Sequence, residues 1–202
     1  MALFKNNQNA QPVSQRALYE GKYNAARSNL LAVILFTLVN IVLVLTNSNT
    51  YFLFSAFIPY FIAMVGMELC GKLPAEYYAE YGSMEPFFDN TVFAVMIGIA
   101  ALFLVVYLLC WLLSKKQKVA WLVVALVLFA LDTVSMLLMS GDLSNSIIDI
   151  VFHVWVIYYL ISGISAYKKL KDLPEEEEQV VDAAEAVETP EIPAAENNSP
   201  EF

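Results

Sequence analysis

Two apolar runs, residues 119–139 and 147–167, constrain this chain most, because each is long enough to cross a bilayer as a helix. The hydrocarbon core of a membrane takes about 20 residues of helix, and apolar stretches of about 18 or more residues predict transmembrane helices. Residues 28–46 and 91–113 form two further runs of this kind. Backbone groups in lipid must hydrogen-bond within the protein, so all four runs are predicted to be helical.

Composition agrees with a protein of the membrane. Hydrophobic residues make up 59% of the 202 residues and charged residues 15%, whereas soluble proteins are usually about 45–50% apolar. The apolar runs occupy most of the chain, which leaves no room for a separate soluble domain. The sequence therefore predicts an all-α integral membrane protein built on a four-helix transmembrane bundle.

A fifth apolar segment, residues 51–69, is rich in aromatic side chains and contains Pro59 near its middle. The segment is short for a complete crossing, and aromatic residues are favoured at membrane interfaces. We expect a half-inserted segment, either a re-entrant or an interfacial helix. The alternative is a fifth full span, which would place the N-terminus outside.

Basic residues predict the orientation, because lysines and arginines in short loops mark the cytoplasmic side. Such residues precede the first span, and two lysine clusters follow the spans that end near residues 113 and 167. The clusters consist of Lys115, Lys116 and Lys118, and of Lys168, Lys169 and Lys171. With four spans and both termini in the cytoplasm, every basic group lies on the cytoplasmic side. With five spans and the N-terminus outside, only the N-terminal basic residues lie on the wrong side. Both arrangements predict a multi-pass protein of the cell membrane with a cytoplasmic C-terminal tail.

Three polar regions complete the predicted organisation. Residues 1–27 form a polar lead before the membrane domain of residues 28–167. Within that domain, residues 70–90 form an acidic, aromatic outer loop. Residues 168–202 begin with the second lysine cluster and continue as an acidic tail. The tail has too few large apolar residues to fold and is predicted to be disordered.

The last two spans carry the candidate site. Asp132 lies about seven residues before the end of one span, and His153 lies about seven residues after the start of the next. At 1.5 Å per residue both side chains lie about 10 Å below the outer boundary, so we predict that they meet. Asp149 is one turn from His153, and Ser135 is one turn from Asp132. These four residues form the predicted intramembrane polar cluster.

Two further polar residues, Asn40 and Glu68, are candidates for a pathway or for helix packing. Ionisable groups within a membrane often serve as proton relays or ion sites. The competing interpretation is a structural hydrogen-bonded pair that fixes the register of two helices. The sequence leaves both interpretations open.

Several kinds of chemistry are not expected. The chain has one histidine and no HExxH pattern, so no metal site and no cofactor are predicted. It has no nucleophile elbow and no phosphate-binding loop, so we do not expect an enzyme. Nucleic-acid binding is also not expected, because the bases cluster beside the membrane ends.

The sequence therefore predicts a non-enzymatic accessory, scaffold or assembly component of the membrane. The alternative is a small proton- or cation-coupled transporter or channel subunit that uses the Asp/His cluster. The expected partners are the lipid bilayer, anionic lipids at the six clustered lysines, and a protein bound through residues 70–90 or 173–202.

Overall fold

The computed structural model describes residues 14–80, 87–139 and 147–173. All regular elements in these residues are helical, and a 3₁₀ turn at Lys115–Gln117 joins the fourth and fifth α-helices. The helices are α1 (Gln15–Leu45), α2 (Phe57–Leu69), α3 (Ala75–Glu80), α4 (Asn90–Leu113), α5 (Val119–Met139) and α6 (Ile147–Asp172).

Four of the described helices, α1, α4, α5 and α6, are long and apolar enough to cross a membrane. They correspond to the four apolar runs, so the all-helical prediction is confirmed. The segment predicted to be half-inserted contains α2, which has only 13 residues.

The first helix begins much earlier than predicted. Ser14 caps it by accepting a hydrogen bond of 3.2 Å from the N–H of Ala17, and Tyr23 and Ala26 are buried within the bundle. The helix therefore starts before the predicted span of residues 28–46, because one face of the polar stretch packs against the other helices. The membrane boundary at residue 28 stays a prediction. The last helix also continues beyond residue 167, through the lysine cluster to Asp172.

The helices α1, α4 and α6 bring three chain segments to one end of the bundle. Tyr23 donates a hydrogen bond of 2.7 Å to the carbonyl oxygen of Ser114, just past α4, and its ring lies 6.1 Å from that of Tyr167 in α6. Nζ of Lys169 lies 5.4 Å above the ring of Tyr19. The chain has 11 lysines and arginines, and all those described except Lys72 lie at this end, which we call the basic end.

The chain returns to the opposite end after both α1 and α2. Asn47, just past α1, donates a hydrogen bond of 3.2 Å to the carbonyl oxygen of Lys72, just past α2. The helices α1 and α2 therefore finish side by side. The segment between them, residues 46–56, must enter the bundle and turn within it.

The core has two parts. One surrounds Leu30, Phe129 and Leu160, where α1, α5 and α6 meet. The other surrounds Ala63 and Ala100, where α2 packs on α1 and α4. Between α1 and α6 the approach is so close that a Cβ placed on Gly163 would lie 2.4 Å from the Cβ of Ala26.

Both cysteines of the chain, Cys70 and Cys110, are buried and free. The predicted disordered tail lies outside the described residues from position 174 onward, as do residues 1–13, 81–86 and 140–146.

Candidate functional site

The segment between α1 and α2 runs back along α1. Phe52 pairs with Asn40 and Ala56 pairs with Thr37, so the segment is antiparallel to the helix that precedes it. From Leu45 to Thr37 the return covers about 12 Å at 1.5 Å per residue. The α2 helix therefore starts deep inside the bundle, where non-helical backbone needs partners from the protein.

Asn40 supplies the first set of partners. Its Nδ2 donates to the carbonyl oxygen of Phe52 at 2.7 Å and to Oγ of Ser55 at 2.8 Å. Its Oδ1 accepts the N–H of Phe52 at 2.8 Å. Both amide hydrogens of Asn40 are thus used, and the side chain is only 1% exposed. Tyr51 extends the network through a contact of 3.0 Å between its hydroxyl and Oγ of Ser55.

Thr37 supplies the next partner. Its hydroxyl donates to the carbonyl oxygen of Val33 at 2.7 Å and accepts the N–H of Ala56 at 2.7 Å. A threonine hydroxyl has one hydrogen to donate and two lone pairs, so both contacts are made at once. The backbone of Ala56 is thereby tied to the middle of α1.

Asp132 holds the start of α2. Its Oδ2 accepts the N–H of Phe57 at 2.8 Å and its Oδ1 accepts the N–H of Ile58 at 2.7 Å. Ala56 at the cap position provides no side-chain cap, so a carboxylate from α5 does this across the bundle. An anion at a helix N-terminus also interacts favourably with the helix dipole, by about 0.3–2 kcal/mol.

The first four N–H positions of α2 are now all accounted for. A helix leaves these groups without partners of its own. The hydroxyl of Thr37 accepts the N–H of Ala56. The carboxylate of Asp132 accepts the N–H groups of Phe57 and Ile58. Pro59 has no backbone N–H that would need a partner. Pro59 therefore lies in the first turn of the helix, where proline is favoured, and it does not interrupt a longer helix.

Phe54 lies at the sharpest part of the return. Its φ is 71°, in the left-handed region that a bulky residue rarely adopts. Such a conformation costs about 1–3 kcal/mol and persists where the surroundings impose it. Here the ring packs 4.5 Å from that of Phe152 in α6, and Asn40 and Thr37 bind the backbone on either side.

His153 completes the site. Its Nε2 lies 3.4 Å from Oδ2 of Asp132, and its Nδ1 lies 2.8 Å from the backbone carbonyl oxygen of Asp149. The ring stacks on Phe129 at a centroid distance of 5.1 Å. His153 is 2% exposed and Asp132 is 1% exposed. The predicted contact between Asp132 and His153 is therefore present, at the N-terminus of α2.

Other predicted site residues take less direct parts. Asp149 is half-buried and contributes its backbone carbonyl to His153. Ser135 donates to the carbonyl oxygen of Leu131 in its own helix at 2.9 Å. Glu68 is exposed near the far end of α2, where its backbone carbonyl accepts the hydroxyl of Tyr78 at 2.9 Å. The structure thus joins Asn40, Asp132 and His153 around one segment and leaves Ser135 and Glu68 outside it.

The backbone partners of Asp132 were missed at the level of sequence. Backbone amides carry no side-chain signal, and nothing in the chain reveals where residues 56–58 dock. The available signal was Pro59, since a proline often marks the first turn of a helix.

Among the described residues, no three side chains of His, Cys, Asp or Glu gather so that they could hold a metal ion. Comparison of the chain with models of known protein families, with curated proteins and with solved structures gave no match.

Proposed function

We propose that this chain is a multi-pass integral membrane protein without catalytic activity, which serves as an accessory, scaffold or assembly component. One observation carries the proposal: the buried polar side chains bind the chain's own backbone. Thr37, Asn40 and Asp132 together hold residues 52–58. A solute pathway would need polar groups that are free to exchange partners. These side chains instead hold the backbone of residues 52–58 in one conformation.

In the proposed arrangement, α1, α4, α5 and α6 cross the membrane and residues 46–69 are re-entrant. The return of α2 to the end of α1, through Asn47 and Lys72, supports four spans over the five-span alternative. Irregular backbone at membrane depth is tolerated where protein covers it and satisfies its polar groups. Asn40, Thr37 and Asp132 meet that requirement.

The basic end is proposed to face the cytoplasm of a cell, with the C-terminal tail on the same side. Its three basic groups lie together, as the positive-inside rule requires. The lysines of the two clusters would contact anionic lipid, at about 1 kcal/mol per charge. The segments proposed to bind a protein partner are residues 70–90 on the outer side and 173–202 on the inner side.

Cysteine accessibility tests the arrangement. Cys70 and Cys110 are first replaced by alanine, and single cysteines are placed at Lys22, Thr50, Glu80 or Gln117. With an impermeant thiol reagent on intact cells, we expect labelling at positions 50 and 80 and protection at 22 and 117 until the membrane is opened. Labelling at 22 with protection at 50 would instead support five spans.

Cross-linking in native membranes tests the accessory function. The full chain, tagged at its C-terminus, is cross-linked before solubilisation and then purified. We expect one or more specific proteins in constant proportion to the chain. A chain that is recovered alone, as a monomer, from both cross-linked and untreated membranes would contradict the proposal.

A second candidate function, proton or cation coupling, is favoured by the unpaired Nε2 of His153. No described atom completes a hydrogen bond to this nitrogen. The carbonyl of Asp149 only accepts, so Nδ1 must carry a hydrogen to bond to it. A neutral ring would then direct the lone pair of Nε2 toward Asp132, and a single added proton would join the two residues.

His153→Gln separates the two candidates. Glutamine removes the imidazole ring and leaves the carboxylate of Asp132 to cap α2. If the site carries protons, the variant folds but loses a pH-driven flux in proteoliposomes that the original chain supports. If the chain is an accessory protein, neither form supports such a flux, and the cross-linked partners are unchanged.

A further inference from the structure

A pocket opens at the end of the bundle opposite the basic end. It has a volume of about 430 Å³ and lies between the end of α1, the following turn, α2 and α3. This volume is within the usual range of about 300–1,000 Å³ for sites that bind small molecules. Apolar side chains such as Met64 and Leu73 line part of it, and Asn49 and Thr50 contribute polar groups.

Three tyrosines line the pocket from different elements. Tyr51 precedes α2, Tyr60 belongs to α2 and Tyr77 belongs to α3. The rings of Tyr51 and Tyr60 have centroids 4.9 Å apart and planes inclined by 60°. They form an aromatic corner in the wall of the pocket.

The re-entrant segment holds this corner in place. The hydroxyl of Tyr51 contacts Oγ of Ser55 at 3.0 Å, and Asn40 binds the same oxygen at 2.8 Å. On the other side, Tyr78 packs edge-on against Tyr77, with centroids 5.5 Å apart. Its hydroxyl donates to the carbonyl oxygen of Glu68 at 2.9 Å. The tyrosine walls are therefore positioned before any ligand arrives.

Among the described residues that line the pocket, Glu76 is the one charged side chain, and its charge is negative. The basic residue nearest in sequence, Lys72, directs its Nζ toward Phe93 of α4, 5.8 Å from that ring. Aromatic faces combined with a carboxylate attract cations, and tyrosine faces bind alkylated ammonium groups in particular.

We propose that this pocket binds an ammonium group, either primary or quaternary, carried by a lipid headgroup or by a small soluble amine. The tyrosine faces would contact the cation, and Glu76 would balance its charge from the rim. The inference goes beyond the accessory function, because it assigns a small cationic ligand to a pocket that borders the proposed partner-binding segment of residues 70–90.

Binding is measured on the full chain purified in a lipid-free detergent, titrated with tetramethylammonium chloride against sodium chloride at the same ionic strength. We expect saturable binding by calorimetry. Tyr60→Leu should weaken it about tenfold and Glu76→Gln several-fold, since one cation–π contact changes affinity by about 2–30-fold. Tyr60→Phe, which keeps the ring, should stay within about threefold of the original chain.

Glu68→Gln is the matched control, because Glu68 is an exposed acid at the same end but does not line the pocket. It should leave the affinity unchanged. If Tyr60→Leu fails to fold, the pocket is still tested by Glu76→Gln, because Glu76 is exposed on α3 and its replacement should not affect folding. Tyr60→Phe keeps the aromatic ring and should keep the affinity. If the affinity for tetramethylammonium falls equally in Glu68→Gln and Glu76→Gln, the pocket is not the binding site.

Native mass spectrometry distinguishes the two sources. Retention of phosphatidylethanolamine over phosphatidylglycerol, lost in Glu76→Gln, would identify a lipid headgroup. Binding of tetramethylammonium or choline without retained lipid would identify a soluble amine. Absence of saturable binding to every ammonium probe, lipid or soluble, would overturn the proposal.

Discussion

Oδ1 of Asp132 accepts a hydrogen bond of 2.7 Å from the backbone N–H of Ile58, which joins the middle of α5 to the first turn of α2. This contact makes a buried carboxylate the cap of a short helix from a different part of the chain. It also explains how α2 can begin inside the bundle, where water is not available to satisfy its N-terminus.

Asp132→Asn should lower the free energy of unfolding by about 1–3 kcal/mol. An amide can accept one of the two backbone N–H groups, but its NH₂ then faces the other, which is left buried without a partner. The measurement is denaturant unfolding in detergent, followed by circular dichroism. Ser135→Ala is the control on the same helix, because the hydroxyl of Ser135 donates to the carbonyl oxygen of Leu131 within that helix. Equal losses in both variants would show that Asp132 does not stabilise α2.

Asn40→Ala should loosen the return segment more than it unfolds the bundle. It removes three hydrogen bonds, to both backbone groups of Phe52 and to Ser55. We expect faster hydrogen exchange in residues 51–58, at a cost of about 1–3 kcal/mol in local stability. Asn29→Ala is the control, because Asn29 bonds to Ala25 within its own helix. Unchanged exchange in Asn40→Ala would contradict the assigned role.

Gly163→Ala should destabilise the contact between α1 and α6. The added Cβ would meet the Cβ of Ala26 at 2.4 Å, and both atoms are attached directly to backbone. Overpacking of this kind typically costs about 1–3 kcal/mol. Gly98→Ala is the opposite case, because no atom lies within 4 Å of its added Cβ, and alanine is the better helix former by about 1 kcal/mol. Thermal unfolding of the two variants should therefore shift in opposite directions.

Asp89 should make the start of α4 sensitive to acid. The N–H groups of Val92 and Thr91 donate to its carboxylate and hold the pKa of Asp89 below its usual value. The stabilisation is complete above the unfolded-state pKa of about 3.9 and is lost as the pH falls through the lower folded-state pKa. Asp89→Asn keeps a capping side chain without a titrating group. Between pH 5 and 3 the original chain should lose more thermal stability than this variant, and parallel curves would refute the linkage.

Several features of the fold could be predicted from composition and spacing. Runs of apolar residues identified α4 and α5 closely, because lipid-facing helices must be apolar along their length. The contact between Asp132 and His153 was predicted from helical rise, and the two residues do meet. The start of α1 was missed, because Tyr23 and Ala26 are buried by partners that are distant in the sequence.

The sequence by itself determined that four long helices form and that bases gather at one side, because chain length, hydropathy and charge are local properties. The tertiary structure alone decided the role of Asp132. Whether a buried carboxylate relays a proton or caps a helix depends on which donors reach it, and here Phe57 and Ile58 approach from more than 70 residues away. Their N–H groups are common to almost every residue, so only packing could select them.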